Sequence, residues 1–291
     1  MTLDDQTRSL LPKLAPRRPD SHKGDYGKAL LIGGSRGMCG AIAMAGLSTL
    51  RSGAGLVTLA VPRSVQDAVT TFSPCYMTHG LADADGKFDS SAADEAIEFG
   101  MAATVLALGP GLGRSDQLTP FVEQLYREIK KPMVVDADAL FALASVKNLL
   151  VSPGGMRILT PHPVEFARLA GGDPPLDSQR ITAAAELARR DSSGNTIVVL
   201  KGHKTVVTDG KRFAINQTGN PGMATGGSGD ILTGIVTALL CQNLSPFDAA
   251  RLGVHVHGLA GDLAAADLGE VSLIAADLIE YLPKAFQQIA E

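Results

Sequence analysis

Lys28-Ala29-Leu30-Leu31-Ile32-Gly33-Gly34-Ser35-Arg36-Gly37-Met38-Cys39-Gly40-Ala41 runs from an apolar segment through a glycine-rich turn into a small-residue helical pattern over 41–52. A short run that is apolar at nearly every position suits a strand covered on both faces, and such strands belong to parallel sheets whose crossovers are helices. The unit repeats along the chain. Strand candidates follow at 56–61, 104–108, 133–136, 157–160 and 196–200, with helical patterns at 63–72, 118–129, 164–170 and 179–190. The alternation predicts an α/β fold with a mostly parallel central sheet. Segments 204–208 and 212–215 flank Asp209-Gly210, a dipeptide suited to positive φ, so an antiparallel hairpin is expected at the sheet's edge. Helical patterns at 230–242, 246–267 and 275–290 close the chain, the first of them apolar on more than one face and hence expected to be buried.

Composition sets the outer bounds. The 291 residues are 45% hydrophobic and 19% charged, enough to fill a large core. Glycine is in excess, 32 residues where average usage gives about 20. A formal net charge of −4 disfavours a nucleic-acid partner. The three cysteines, Cys39, Cys75 and Cys241, lack disulfide-framework or zinc spacing and fit a reducing compartment. Residues 1–22 read as a polar leader whose prolines and acids rule out a signal peptide, and no run of 18 apolar residues appears that could span a bilayer. One domain over 23–291 and a cytoplasmic location are expected, with no membrane or nucleic-acid partner.

Chemistry is concentrated in glycine-rich turns at predicted strand ends. The first, Gly33 to Ala41, could present amide N–H groups to phosphate at a helix start. It lacks the dinucleotide-binding spacing and the acidic residue at the end of the second strand. The second is Gly109-Pro110-Gly111-Leu112-Gly113, which reads equally as a turn or as a ligand contact. The third, Asn220-Pro221-Gly222-Met223-Ala224-Thr225-Gly226-Gly227-Ser228-Gly229-Asp230, enters the apolar helix directly. Its glycines allow N–H groups to converge on an anion, and the helix adds its positive end. Asp230 could cap that helix or accept a hydroxyl proton as the oxygen attacks phosphorus; base beside anion hole is a phosphoryl-transfer arrangement. The positive helix end is expected to lower the Asp230 pKa. No P-loop is present, so Lys201-Gly202-His203-Lys204-Thr205 is the candidate nucleotide contact. Asp136 and Asp138 could order phosphate through water, or Asp138 could cap a helix; this stays open. Tyr126-x-x-x-Lys130 has short-chain-reductase spacing, but on an amphipathic helix it reads as a solvated face.

In order, KGDYGKALLIGGSRGMCGA, VLALGPGLG, VVDADAL, ILTPHPVE, VVLKGHKTVV and NPGMATGGSGDILTG resemble the ADP-dependent NAD(P)H-hydrate dehydratases of the ribokinase-like superfamily. The resemblance covers nearly the whole chain from Lys23. It implies a three-layer α/β/α fold and an enzyme that restores hydrated NADH or NADPH. ADP would phosphorylate the C6 hydroxyl of the S epimer and phosphate would then be expelled, leaving AMP and phosphate.

Under this resemblance Asp230 is the base, with Gly227, Ser228 and Gly229 as the anion hole. Gly229 and residues Lys201, Gly202, His203, Lys204 and Thr205 contact the nucleotide. Ala41, Gly111, Gly113, His162 and Asp230 contact the hydrated dinucleotide. Mg2+ travels with the diphosphate, a homotetramer is expected, and epimerisation of the R form occurs elsewhere. Val164 stands where the family's P-H-P-G-E has glycine. His255 and His257 read as structural. A ribokinase-like kinase for a hydroxymethylpyrimidine or thiazole alcohol, an NADP-dependent oxidoreductase and a non-catalytic nucleotide sensor are the rival readings.

Overall fold

A computed structural model describes residues 11–146 and 148–290. Its elements are β1 (Lys28–Ile32), α1 (Cys39–Arg51), β2 (Leu56–Pro62), α2 (Gln66–Thr70), β3 (Met77–Leu81), β4 (Asp83–Ala84), β5 (Lys87–Phe88), α3 (Ala92–Met101), β6 (Val105–Leu108) and α4 (Leu118–Glu128). They continue with β7 (Met133–Val135), α5 (Ala137–Ala144), β8 (Arg157–Leu159), α6 (Pro163–Ala170), α7 (Arg180–Ala188), β9 (Thr196–Leu200), β10 (Val206–Thr208), β11 (Phe213–Ile215), α8 (Ser228–Cys241), α9 (Pro246–Leu268) and α10 (Ala275–Ala290).

Nine strands form one sheet in the order β11-β10-β9-β8-β7-β6-β1-β2-β3. β3 through β9 are mutually parallel in this order, whereas β10 runs antiparallel to β9 and β11 antiparallel to β10. The hairpin predicted around Asp209-Gly210 therefore forms the edge. β1 shows why the strands had to be apolar throughout: Ala29 and Leu31 face one core, Leu30 and Ile32 the other. The first core is closed by α1, α8, α9 and α10, the second by α3 to α7. This is the expected three-layer α/β/α architecture.

The departures have local causes. The pattern over 63–72 becomes a 3-10 turn at Arg63–Val65 followed by the five residues of α2. Edge strand β3, of sequence MTHGL, is half polar and escapes a search for apolar runs, as do the two-residue strands β4 and β5 and helix α3. Of the leader, residues 1–10 lie outside the described residues; Arg17 anchors the rest, donating to the Gly53 carbonyl (2.8 Å) with its guanidinium 3.9 Å from the Tyr26 ring centroid. Apolar α8 is buried at every position from Ile231 to Cys241. A Cβ at Gly234 would fall 2.0 Å from Ser48 Oγ and 2.3 Å from the Ala45 carbonyl oxygen, so glycine lets α1 and α8 approach.

Candidate active site

The C-terminal ends of β1, β6, β7, β8 and β9 deliver their loops to one edge of the sheet, where open α/β folds bind ligands. The first two glycine turns interlock there. Gly34 donates to the Pro110 carbonyl (2.8 Å), and a Cβ on Gly33 would fall 2.2 Å from the same oxygen. Gly111 has φ +65°, and a Cβ there would lie 2.6 Å from Met38 O and 3.0 Å from Ala41 Cβ. Gly113 donates to Asp138 Oδ2 (3.0 Å). Ala41, Gly111 and Gly113 are thus brought together by backbone packing. They stand outside the lining of the neighbouring cavity.

That cavity, about 940 Å³, is lined by His162 and Glu165, by residues 201–205, and by residues 227–230 with His257 behind them. Its volume suits a nucleotide-sized ligand. Gly227 enters α8 at φ +98°, a conformation that favours glycine, while a Cβ there would lie 2.4 Å from Met44 Cε, the movable end of that side chain. The first helical bond of α8 runs from Ile231 N–H to Gly227 C=O (3.2 Å), so the amides of Gly229 and Asp230 precede the ladder at the helix's positive end. Asp230 stands beside them in the cavity wall.

Behind this nest lies a buried charge cluster that sequence reasoning left unassembled. Asp136, 1% exposed, accepts from Lys201 Nζ (2.7 Å) and Thr233 Oγ1 (2.8 Å). Glu165 lies 3.9 Å from the same ammonium. Burial, which opposes the charged amine, is outweighed by Asp136, Glu165 and Asp230, and the Lys201 pKa is raised. Burial and the Asp136 charge push Asp230 up to about 7 against the pull of Lys201. Glu165 is pushed up to about 7 by burial, again against Lys201. The expected lowering of the Asp230 pKa is therefore reversed: desolvation and neighbouring carboxylates override the helix end.

Lys201 consequently points inward to carboxylates, while the backbone of residues 202–204 is exposed along the cavity. Arg180 holds this loop from beneath, donating to the carbonyls of Leu200 (2.9 Å), Lys201 (3.0 Å) and His203. It sits in no motif, and nothing in the sequence marks it. His162 caps α6: its Nδ1 accepts from Val164 N–H (3.1 Å) and Glu165 N–H (3.4 Å), and Glu165 Oε2 accepts from His162 N–H (2.8 Å). The cap and the cavity-facing role coexist in one side chain. Val164, in the family's glycine position, is half-exposed in the first turn of α6 and leaves the cap intact.

His257, read as structural, belongs to the cavity wall; its Nε2 lies 2.9 Å from the Ser228 carbonyl and must donate to it. Burial pushes its pKa down to about 4, so the ring is neutral. Its only sequence signal is its register on α9. His255 is buried away from that wall and is likewise pushed down to about 4 by burial. Tyr126 is fully buried beside Arg157, whose guanidinium donates to the Tyr126 and Ile129 carbonyls (2.6 and 2.7 Å), so the Tyr126/Lys130 pair of an oxidoreductase is not assembled.

No group of three or more His, Cys, Asp or Glu side chains forms a metal site among the described residues, and both Asp136 oxygens are already occupied by protein donors. Asp138, the other open candidate, has one oxygen on Gly113 N–H and the other 3.6 Å from Arg114 Nε.

The sheet order and the nest ahead of a buried helix define a ribokinase-like protein. A ribokinase-like superfamily protein from Enterococcus faecalis V583 superposes with TM-score 0.80 at 25% identity, covering 99% of this chain and 95% of that one. Residues 29–284 match the NAD(P)H-hydrate dehydratase family model, and the chain belongs to that family. It is 43% identical over 288 residues, 98% of its length, to the bifunctional NAD(P)H-hydrate repair enzyme Nnr of Moorella thermoacetica. That stretch is 53% of the relative, so the chain spans about half the length of the curated relatives it matches. The ADP/ATP-dependent NAD(P)H-hydrate dehydratase of Bacillus subtilis, co-crystallized with ATP and Mg2+, gives TM-score 0.80 at 31% identity, covering 98% of this chain and 96% of that one.

Proposed function

We propose that this chain dehydrates the S epimer of hydrated NADH or NADPH, consuming ADP and releasing AMP and phosphate. The observation that carries the reading is Asp230 standing beside the unladdered amides of α8, in one cavity with residues 201–205. Hydroxide leaves poorly from C6 of the hydrated ring, and phosphate leaves well. The turn of Gly227, Ser228 and Gly229 receives the phosphoryl group in flight. Its free donors are the Gly229 and Asp230 amides, because the Ser228 amide donates to the Thr225 carbonyl (3.4 Å). Asp230 takes the C6 hydroxyl proton as that oxygen attacks phosphorus. With a pKa near 7, Asp230 is matched to this task at neutral pH.

The exposed backbone of Gly202, His203 and Lys204, with Thr205, receives the nucleotide, and Lys201 steadies the carboxylates behind it. The hydrated dinucleotide lies between His162 and the Ala41, Gly111 and Gly113 turns. Magnesium, for which the described residues offer no ligand set of their own, would come with the nucleotide and would supply charge neutralisation. We read residues 23–291 as one domain working as a homo-oligomer, a tetramer, in the cytoplasm, with the R epimer reaching the site through epimerisation. Among the described residues no helix is long and apolar enough to cross a membrane.

Incubation of the purified protein with hydrated NADH, magnesium and ADP is expected to raise the near-ultraviolet absorbance of reduced nicotinamide while AMP accumulates. Silence with both ADP and ATP, or a phosphorylated alcohol that persists, overturns the reading.

A further inference from the structure

Regenerating the dihydronicotinamide ring removes two protons, and Asp230 accounts for one. The first leaves the C6 hydroxyl. Once phosphorylated, the C6–O bond breaks with its electrons going to phosphate, and the ring nitrogen lone pair forms N1=C6. The C5–H bond must then break: its electron pair becomes C5=C6, the N1=C6 pair returns to nitrogen, and a proton must be accepted. We propose that Glu165 accepts this C5 proton, an inference that rests on the dehydratase reading above.

Glu165 lines the same cavity as Asp230 and His162, and its side chain is 10% exposed. Its carboxylate is held from two sides. Oε2 accepts from the His162 N–H at 2.8 Å, Oε1 lies 3.4 Å from His162 Nε2, and the Lys201 ammonium is 3.9 Å away. Such fixing matters, because removal of a carbon-bound proton requires the base to be aimed at it.

The neighbouring groups are committed elsewhere. His162 Nδ1 accepts two backbone N–H groups, and burial together with Lys201 keeps the ring neutral, so its one proton resides on Nε2, 3.4 Å from Glu165 Oε1, and the ring has no nitrogen left to accept a proton. Both oxygens of Asp136 are occupied by Lys201 and Thr233. His257 donates to Ser228. Asp230 serves the first transfer, at the hydroxyl. Glu165 remains, and with a pKa near 7 it can hold a proton and return it to solvent in each turnover.

The test separates the two proton transfers in time. Glu165→Gln keeps the side chain's size and an acceptor for the His162 N–H but cannot take the proton. In rapid-quench single turnovers with hydrated NADH, ADP and magnesium, AMP should form at near the wild-type rate while reduced-nicotinamide absorbance trails by ~10²-fold or more. Deuterium at C5 should slow the absorbance phase of the wild type and leave its AMP phase alone. Should the glutamine variant lose its fold by thermal melt, Glu165→Asp is expected to show the same ordering with a smaller lag. AMP and absorbance slowing in step, or neither changing, overturns the assignment. Wild-type protein that forms neither product overturns the dehydratase reading itself, and the assignment with it.

Discussion

The Lys201 ammonium sits 2.7 Å from the Asp136 carboxylate, joining the end of β9 to the end of β7 beneath the amides of α8. Side-chain exposures of 18% and 2% place the pair beyond the reach of bulk screening. From sequence alone Lys201 reads as a nucleotide contact, whose loss should mainly weaken nucleotide binding. The pairing adds a structural consequence. Lys201→Met leaves Asp136 buried without a counter-charge and is expected to cost about 3–5 kcal/mol in urea or thermal unfolding. Adding Asp136→Asn should recover most of that loss. A single variant as stable as the wild type would mean that the pair contributes nothing to the fold.

Asp230→Ala is expected to lower kcat by at least ~10²-fold while KM for both substrates changes little, because the carboxylate acts on a proton in flight. The raised pKa fixes the direction of the pH dependence. A base must be ionised, so wild-type kcat/KM should climb with pH up to about 7 and level off above it. A profile already flat from pH 5 would contradict the burial argument.

The Asp230 turn and the sheet are legible in the sequence for a shared physical reason. Strands covered on both faces must be apolar at every position, as in KALLI, and an anion nest needs glycine where φ is positive, as at Gly227. What stays hidden is long-range pairing. Nothing near Arg180 states that its guanidinium supports a loop twenty residues later, and nothing near Asp136 announces Lys201, 65 positions away. His257 is hidden by a local rule: a histidine on an apolar helical stretch is expected to be structural, whereas this one is only half-buried, in the cavity wall, against the carbonyl of the nest residue Ser228. Edge strand β3 is missed because one polar, glycine-bearing turn of sequence carries no periodicity to find.

Arg180→Ala removes three hydrogen bonds from the backbone of residues 200–203 without touching any cavity-lining side chain. The loop should lose its preorganised shape, raising KM for the nucleotide about 10-fold while KM for the hydrate stays within about 2-fold. Unfolding free energy should fall by about 1–3 kcal/mol, since buried carbonyls lose charged donors. Equal increases in both KM values would place the loop's influence at the hydrate end of the cavity.

Asp230→Asn tests the same carboxylate through stability, with ligands absent. In the unfolded chain an aspartate titrates near ~3.9, whereas folding raises Asp230 to about 7, so the folded state binds its proton more tightly. The stabilisation this provides is complete below pH ~4 and is lost as pH rises through 7. Asparagine carries no such penalty. The variant should match the wild type at pH 4 and exceed it by about 2–4 kcal/mol at pH 8, with most of the divergence between those limits. His255 and His257, both pushed down to about 4, act in the opposite sense as pH falls from ~6.5, but they titrate in both proteins and cancel from the difference. Glu165, raised mainly by burial, is present in both as well and cancels in the same way. Parallel stability curves from pH 4 to 8 would mean that water reaches Asp230 in the empty cavity and that its carboxylate ionises as freely as in the unfolded chain.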